Sequence, residues 1–406
     1  MKIAIVTAFP PSKITLNEYA YYLVKYFRQK AEISEIIILA DTNKSHESPN
    51  FGTFGCKVSI VKSWSFNSYW NLFSVFKQVH KHKPDVVLFN LQFLKFGNKK
   101  IPAALGLFLP WLCKNKYRKS VVLLHNLIEF VDLKYTGFAN NSFLDNIYRL
   151  IGTFLTRCLL ASDLLVVTID KYVDVLKKKY NKENITMIPH GSFETLEAPE
   201  SSRSSKIFKL LTFGKFGTYK KVEILIEAIK KINKANSNPV ELVIAGTDNP
   251  NTPGYLASVA EKYKEVSNIV FTGYVPEEKV ASYFKESSLV VFPYTSTTGS
   301  SGVLHQAGSY GRAMVMPKIG DLSLLIQSEG YQACFYKLDD VNSLITAISK
   351  VMNNHYYRVQ QEQHNFKVAS SFSMDKITDR YLQEFENLNK LDKTFSKRQF
   401  LKTYLF

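Results

Sequence analysis

Three stretches of the chain combine residue types and spacings suited to chemistry. The first is Leu211-Thr212-Phe213-Gly214-Lys215-Phe216-Gly217-Thr218-Tyr219-Lys220-Lys221. An apolar run ends at Gly214, Gly217 follows, and Lys215 and Lys220 flank the turn. Glycine lets a backbone approach an anion closely, and a helix expected from Val222 would aim its first N–H groups at it. Amides plus cations suit a diphosphate; the competing reading is a plain lysine-bearing surface loop. The second stretch is Phe292-Pro293-Tyr294, then Ser, Thr and Gly from Thr295 to Ser301, then Gly302-Val303-Leu304-His305-Gln306. Hydroxyls and amides at a helix start suit an anionic or polyhydroxyl ligand, against an ordinary N-capped loop. In the third, Val121-Val122-Leu123-Leu124-His125-Asn126, a polar pair follows a buried strand. His125 is placed to bind a hydroxyl or shuttle a proton, although a lone histidine is more often structural.

The elements that must position these stretches alternate along the chain. Strands are expected at Ile3–Thr7, Ile37–Ala40, Val58–Val61, Val86–Asn90, Val121–His125, Leu164–Val167 and Thr186–Ile188. A second series follows at Phe208–Phe213, Leu242–Ala245, Ile269–Phe271, Leu289–Phe292, Met314–Met316 and Ala333–Tyr336. Amphipathic stretches separate them, among them Glu18–Arg28, Leu144–Leu160, Val222–Ile232 and Val303–Tyr310. Continuous apolar strands alternating with helices imply parallel sheets covered on both faces. The pattern predicts two doubly wound α/β domains, 1–190 and 207–370, with a polar linker at 191–206 and a ligand cleft between them. Residues 371–406 are expected to form a helix packing back on the first domain, then a basic-aromatic tail from Lys390 to Phe406. That tail reads either as a frayed terminus or as a membrane-surface contact.

Composition sets the outer limits. A chain of 406 residues with 46% hydrophobic and 21% charged residues is that of a globular protein of about two domains. Its net charge of +17 favours anionic partners. Lysines are dispersed, and no recognition helix, RNA-binding or zinc pattern accompanies them, which argues against nucleic acid. Cys56, Cys113, Cys158 and Cys334 are far apart and form no Cys-x-x-Cys motif, so they read as buried apolar residues of a reducing compartment. No signal peptide is expected at the N-terminus, and no apolar run is long enough to span a bilayer. The longest such run, Ile101–Cys113, contains two prolines and reads as a buried or interfacial helix.

The C-terminal half, from about Lys209 to Met352, resembles the family-4 (group 1) glycosyltransferases of the GT-B fold, and the N-terminal half resembles them more loosely. The resemblance rests on Gly214-Lys215 with Lys220-Lys221-Val222-Glu223, on Glu241–Gly246 and on Val270–Val275. It rests also on Pro84-Asp85-Val86-Val87, His125-Asn126 and Ile188-Pro189-His190-Gly191. It implies that Lys215 and Lys220 hold the diphosphate of a nucleotide-sugar donor and that His125 lies near the transferred sugar. Gly214, Gly217 and Gly246 then belong to the donor site, with the backbone at Tyr274 and Val275 facing the base. The stretch Thr298, Gly299, Ser300, Ser301, Gly302 and Val303, with Gln306, would line the same donor. Pro11, Asn17 and Asn126 are the acceptor-side candidates. Two departures stand out. The family's glutamate pair is replaced by Thr298 and Gln306, which bond hydroxyls without charge. No glycine pair follows Pro10-Pro11, where Ser12 to Asn17 intervene.

The sequence contains no Asp-x-Asp motif, so the expected chemistry uses no metal and no cofactor, with lysines neutralising the leaving group. The resemblance implies a retaining transferase acting on a glycan or lipid-linked acceptor in envelope or exopolysaccharide biosynthesis. The expected location is cytoplasmic, peripheral on the inner face of the membrane, with the basic-aromatic cluster Lys114–Lys119 as a contact. A protein that kept this fold for binding and lost catalysis is the alternative. A GT-B enzyme of other chemistry, an epimerase or a phosphorylase, is a further one.

Overall fold

The computed structural model describes all residues except 13, 43–48, 116, 128–141, 194–206, 236–238, 297–298 and 404–406, and the side chains of 142–146, 148, 277 and 391–403. Thr298 and the linker from 194 onward therefore lie outside the described residues, as do the tail's side chains beyond Lys390. The chain divides into two compact units, Met1–Pro189 with Met374–Phe406, and His190–Ser373.

The first unit runs β1 (Lys2–Val6), α1 (Asn17–Phe27), β2 (Glu35–Asp41), β3 (Lys57–Trp64), α2 (Asn71–His82), β4 (Val86–Leu91), α3 (Lys100–Gly106), α4 (Leu109–Cys113), β5 (Lys119–Leu124), α5 (Ser142–Leu160), β6 (Leu164–Val167), α6 (Asp170–Tyr180) and β7 (Ile185–Met187). The sheet order is β3-β2-β1-β4-β5-β6-β7, all parallel. Right-handed crossovers put α2 to α6 on one face, because from β3 onward the chain moves in one direction across the sheet. The chain moves the other way from β1 to β2, which sends α1 to the opposite face. The second unit runs β8 (Phe208–Phe216), α7 (Glu223–Ala235), β9 (Val240–Asp248), α8 (Tyr255–Lys262), β10 (Ile269–Gly273), α9 (Glu277–Glu286), β11 (Leu289–Val291), α10 (Gly302–Ser309), β12 (Met314–Pro317), α11 (Gly320–Glu329), β13 (Cys334–Tyr336), α12 (Val341–Asn353) and α13 (His355–Ser371). Its sheet order is β10-β9-β8-β11-β12-β13, again parallel. The final helix α14 (Met374–Thr403) joins the first unit, where Tyr381 and Phe385 pack their rings on Phe27 of α1.

Each of the thirteen expected apolar runs is a strand, because a strand covered on both faces must be apolar throughout. β4 and β5 are buried along their whole length. The differences fall at the ends. β8 continues to Phe216 and β9 to Asp248, since Gly214 and Gly246 remain paired in the ladder instead of opening a loop. The expected linker starts late: Ser192 is buried, donates its hydroxyl to the carbonyl of Ala369 at 2.8 Å, and bridges to Ser373 within the second unit. The run Ile101–Cys113 forms two short helices, half buried, rather than one. Cys113 and Cys334 are buried as expected, but Cys56 and Cys158 are only partly so.

Candidate functional site

In each sheet the strand order reverses between the first strand and its later neighbour, and the loops at that switch point diverge to leave room for a ligand. In the second unit the switch lies between β8 and β11, so the two stretches singled out by sequence meet there. They are zipped together. Lys221 N–H donates to the carbonyl of Pro293 at 3.0 Å, Thr295 N–H donates to that of Tyr219 at 2.8 Å, and Lys220 bridges to Tyr294.

Lys220 is the charged centre of this junction. Its side chain is buried, and its ammonium donates to the carbonyl of Phe213 at 3.3 Å. The same ammonium lies 4.8 Å from the ring centroid of Tyr294 and 5.8 Å from that of Tyr219. Electron-rich ring faces hold a cation without neutralising it. Among the described residues no carboxylate pairs with it. Burial pushes its pKa down, opposed by Tyr219. The ammonium sits over Gly214, where a Cβ would come within 2.4 Å of it. Gly214 and Gly246 have φ of 136° and 138°, and a Cβ on Gly246 would lie 1.9 Å from the Gly214 carbonyl oxygen. Only glycine fits both places. Gly217 closes the turn by donating its N–H to Lys220 O at 2.9 Å, and Lys215 projects, exposed, from the end of β8.

One expectation is corrected here. The N–H of Val222, where the helix was expected to open, is not available to an anion. α7 starts at Glu223, and the N–H just before it is taken: Val222 N–H donates to the Tyr255 hydroxyl, which in turn donates to the Glu223 carboxylate.

The second loop supplies a helix start instead. Ser301 caps α10 with extended backbone, and for the N–H groups of Gly302 and Val303 no partner is found among the described residues. Gly299, with φ of 84°, donates its N–H to the buried carboxylate of Asp321 at 3.1 Å. The Ser300 hydroxyl pairs with His305 Nε2 at 3.1 Å, and His305 Nδ1 lies 3.2 Å from the Tyr331 hydroxyl and 3.5 Å from Glu329. His190 stacks on His305. Burial drives His190 down to about 4; burial and the neighbouring His190 hold His305 well below its ordinary value. Gln306 is buried one residue further along α10. Val275 is buried beyond β10 and Tyr274 is exposed beside it; β10 reaches the site through Thr272, whose hydroxyl accepts the Gly246 N–H at 3.3 Å.

In the first unit the switch lies between β1 and β4. His125, buried after β5, pairs its Nε2 with Asn90 Oδ1 at 2.7 Å, and Asn90 donates to the Thr7 hydroxyl at 3.0 Å. Since the amide oxygen accepts, Nε2 carries the proton and the ring is fixed in one tautomer. Tyr19 meets that ring edge-on at 4.9 Å. The acceptor-side candidates shape the backbone here. Asn17 donates to Ser12 O at 2.6 Å, Asn126 accepts from Phe93 N–H at 3.2 Å, and Pro11 is exposed. Ser12 is anchored on Asp41 at 2.6 Å. Lys95, fully buried, donates to Thr15 O at 2.7 Å, and burial lowers its pKa to about 7, opposed by Asp41.

Sequence reasoning assigned no role to Asn90, Lys95, Asp321 or the His190–His305 pair. A signal existed for Asn90 and Lys95, polar residues inside runs whose every neighbour is apolar. None existed for Asp321, which only the fold brings to Gly299.

Comparison with known proteins agrees with this layout. Residues 207–354 match the family described as Glycosyl transferases group 1. No curated protein matches the chain. Among solved structures, sucrose-phosphate synthase from Thermosynechococcus elongatus superposes with a TM-score of 0.71 at 15% identity, covering 96% of this chain and 100% of that one. Anabaena HepE in complex with UDP-glucose gives 0.67 at 13%, covering 95% and 100%. WaaG, a glycosyltransferase involved in lipopolysaccharide biosynthesis, gives 0.64 at 12%, covering 93% and 98%. At these identities the likeness shows a shared fold, two parallel-sheet α/β units of the GT-B kind.

Proposed function

We propose, for a chain whose residues 207–354 belong to the group 1 glycosyltransferases and whose fold is GT-B, that it moves a sugar from a nucleotide-diphosphate donor with Lys220 as its principal leaving-group cation. One observation carries this reading: a buried ammonium, flanked by two tyrosine rings, sits over a glycine pair at the switch point. A buried cation without a carboxylate is costly, and an anion above Gly214 offsets that cost.

Glycosyl transfer builds positive charge on the sugar ring and negative charge on the departing diphosphate, so a fixed cation and oriented amides stabilise the transition state. Lys220 and the exposed Lys215 supply the charge. Gly302 and Val303 at the start of α10 supply N–H groups, held in place by Asp321 through Gly299 and by His305 through Ser300. Thr298, by sequence alone, and Gln306 offer uncharged contacts where the family has glutamates. In the first unit, His125 in its fixed tautomer is the group for a sugar hydroxyl, with the Pro11–Asn17 loop and Asn126 on the acceptor side. The lysines and the lack of an Asp-x-Asp motif support metal-independent transfer, and the family supports retention of configuration. HepE was solved with UDP-glucose, which puts UDP-sugars first among candidate donors. WaaG's part in lipopolysaccharide synthesis supports an envelope or exopolysaccharide glycan, or a lipid-linked precursor, as acceptor, reached from the cytoplasmic face of the membrane.

The test is thermal shift and nucleotide release with UDP-, GDP- and ADP-sugars in EDTA. Stabilisation by one class and slow release from it are expected. Absence of a shift with every donor would sink the reading.

A further inference from the structure

The first unit also carries a surface made of residues other than those assigned above to donor and acceptor. It lies on the sheet face that holds α2 to α5. α2 buries Asn71, Val75 and Val79 against the sheet and turns the other way Phe73 and, from its N-cap, Trp70. These are 64% and 73% exposed, with rings 6.0 Å apart. α2 packs beside α3 and α4, and α4 beside α5. Trp111 of α4 is 53% exposed. α5 is apolar on two sides. Leu155, Leu159 and Leu160 face the sheet, whereas Leu150 and Phe154, 72% and 55% exposed, point outward with Ile147 and Ile151 at helical spacing. Phe154 meets Phe108, just before α4, at 5.9 Å, so the outward stripe of α5 continues into α4. Exposed apolar surface of this extent marks an interaction face.

Its charge selects the partner. Between Glu47 and Glu129 the sequence contains one acidic residue, Asp85, and twelve Lys or Arg. Asp85 is engaged by the backbone N–H of Lys2 at 2.7 Å, at the strand starts. Exposed Lys77 and Lys81 lie on α2, and Lys99, Lys100 and Lys114 border α3 and α4. Lys114 is paired with Asp163 at 3.3 Å and the sequence of α5 contains Asp145, but cations outnumber acids across α2 to α5. Outward tryptophan, phenylalanine and leucine with this excess of cations match an anionic lipid surface: rings enter the headgroup boundary while lysines meet phosphates. No helix among the described residues is long and apolar enough to cross a membrane.

We propose that the α2–α5 face of the first unit docks on an anionic bilayer, with Trp70, Phe73, Trp111, Leu150 and Phe154 entering the interface. The proposal is independent of donor chemistry and can fail while the transferase reading stands.

The chain's three tryptophans make it testable directly, since Trp64 is buried and the other two, Trp70 and Trp111, both lie on this face. The full chain is mixed with phosphatidylcholine vesicles and with phosphatidylcholine–phosphatidylglycerol vesicles at low and high salt, following co-flotation and tryptophan emission. Binding to the anionic vesicles with a blue shift, weakened by salt, is expected. The triple variant Phe73→Ser, Leu150→Ser, Phe154→Ser should lower partitioning by about tenfold or more. The variant Lys77→Gln, Lys81→Gln, Lys99→Gln should lose most of the salt-sensitive part. All six positions are exposed, and unchanged melting and donor-induced shifts verify folding. No flotation at low salt overturns the proposal, as does flotation undiminished in the triple variant. A wild-type dimer that ignores vesicles, with the triple variant monomeric, overturns it in favour of self-association.

Discussion

The imidazole rings of His190 and His305 lie stacked, 5.2 Å between centroids and 4° from parallel, beneath the start of α10. Two protonated rings cannot share that space, and burial keeps His190 neutral down to about pH 4. An unfolded histidine titrates near 6.5. Between these values the unfolded chain binds more protons, so stability is present above about pH 6.5 and is lost as pH falls toward 4. The groups facing the pair are Ser300, Tyr331 and Glu329. The loss should reach about 2 kcal/mol by pH 5 for His190, a fall of about 5 °C in Tm. Melting curves from pH 7.5 to 5 check it, and His190→Gln should flatten the slope.

Lys220 and Lys215 should separate on substitution. Lys220→Met keeps the aliphatic stem between Tyr219 and Tyr294 and removes a buried charge, so Tm should hold or rise. Donor affinity should fall on the order of 100-fold, the size expected when a buried charge loses its partner. Lys215→Ala removes an exposed charge and should cost about tenfold or less. Because burial lowers the Lys220 pKa, wild-type affinity should also decline with rising pH sooner than for an ordinary lysine. Calorimetric titration of the bound nucleotide reads all three. A Lys220→Met protein that melts early yet binds normally would show the lysine to be structural.

Asn90 should matter to transfer without touching the donor. It fixes His125 Nε2 at 2.7 Å and is itself tied to Thr7. Asn90→Ala frees the ring to adopt either tautomer and leaves buried polar atoms unpaired. Turnover should drop by about tenfold to a hundredfold, while the nucleotide-induced thermal shift is unchanged. Asn90→Asp, which accepts from the same nitrogen, should restore part of the rate and move the pH profile upward, because a carboxylate favours imidazolium. A rate unaffected by Asn90→Ala would remove His125 from the chemistry.

The strands and their parallel, doubly wound arrangement were legible because strands covered on both faces must be apolar from end to end, as in Val121–Leu124 and Leu242–Ala245; the strand order and the switch point come from the fold. Lys220 and Gly214 could be read together because they sit six residues apart on one turn. What sequence spacing hides is contact made by folding. Asp321 reaches Gly299 across 22 residues, and His190 reaches His305 across more than a hundred. The Val222 N–H was misjudged for a related reason. Its acceptor, Tyr255, lies 33 residues further on, and only packing places its hydroxyl there.

The glycine pair gives the sharpest contrast. Both residues have φ in the region side chains avoid, but their surroundings differ. At Gly246 an added Cβ would meet the Gly214 carbonyl oxygen at 1.9 Å, a backbone atom held by the β8–β9 ladder that cannot yield. At Gly214 it would meet only the Lys220 ammonium at 2.4 Å, the mobile end of a long side chain. Gly246→Ala should therefore cost about 3 kcal/mol or more, combining backbone strain with a forced ladder shift. Gly214→Ala should cost about 1–2 kcal/mol, from φ alone, and yet abolish donor binding, because the displaced ammonium no longer lies over the strand end. Gly273→Ala, at positive φ with open space around it, is the control for the φ cost. Denaturant melts and nucleotide titrations on the three variants separate the two effects. If Gly214→Ala bound donor normally, the ammonium's place over Gly214 would have no part in holding the diphosphate.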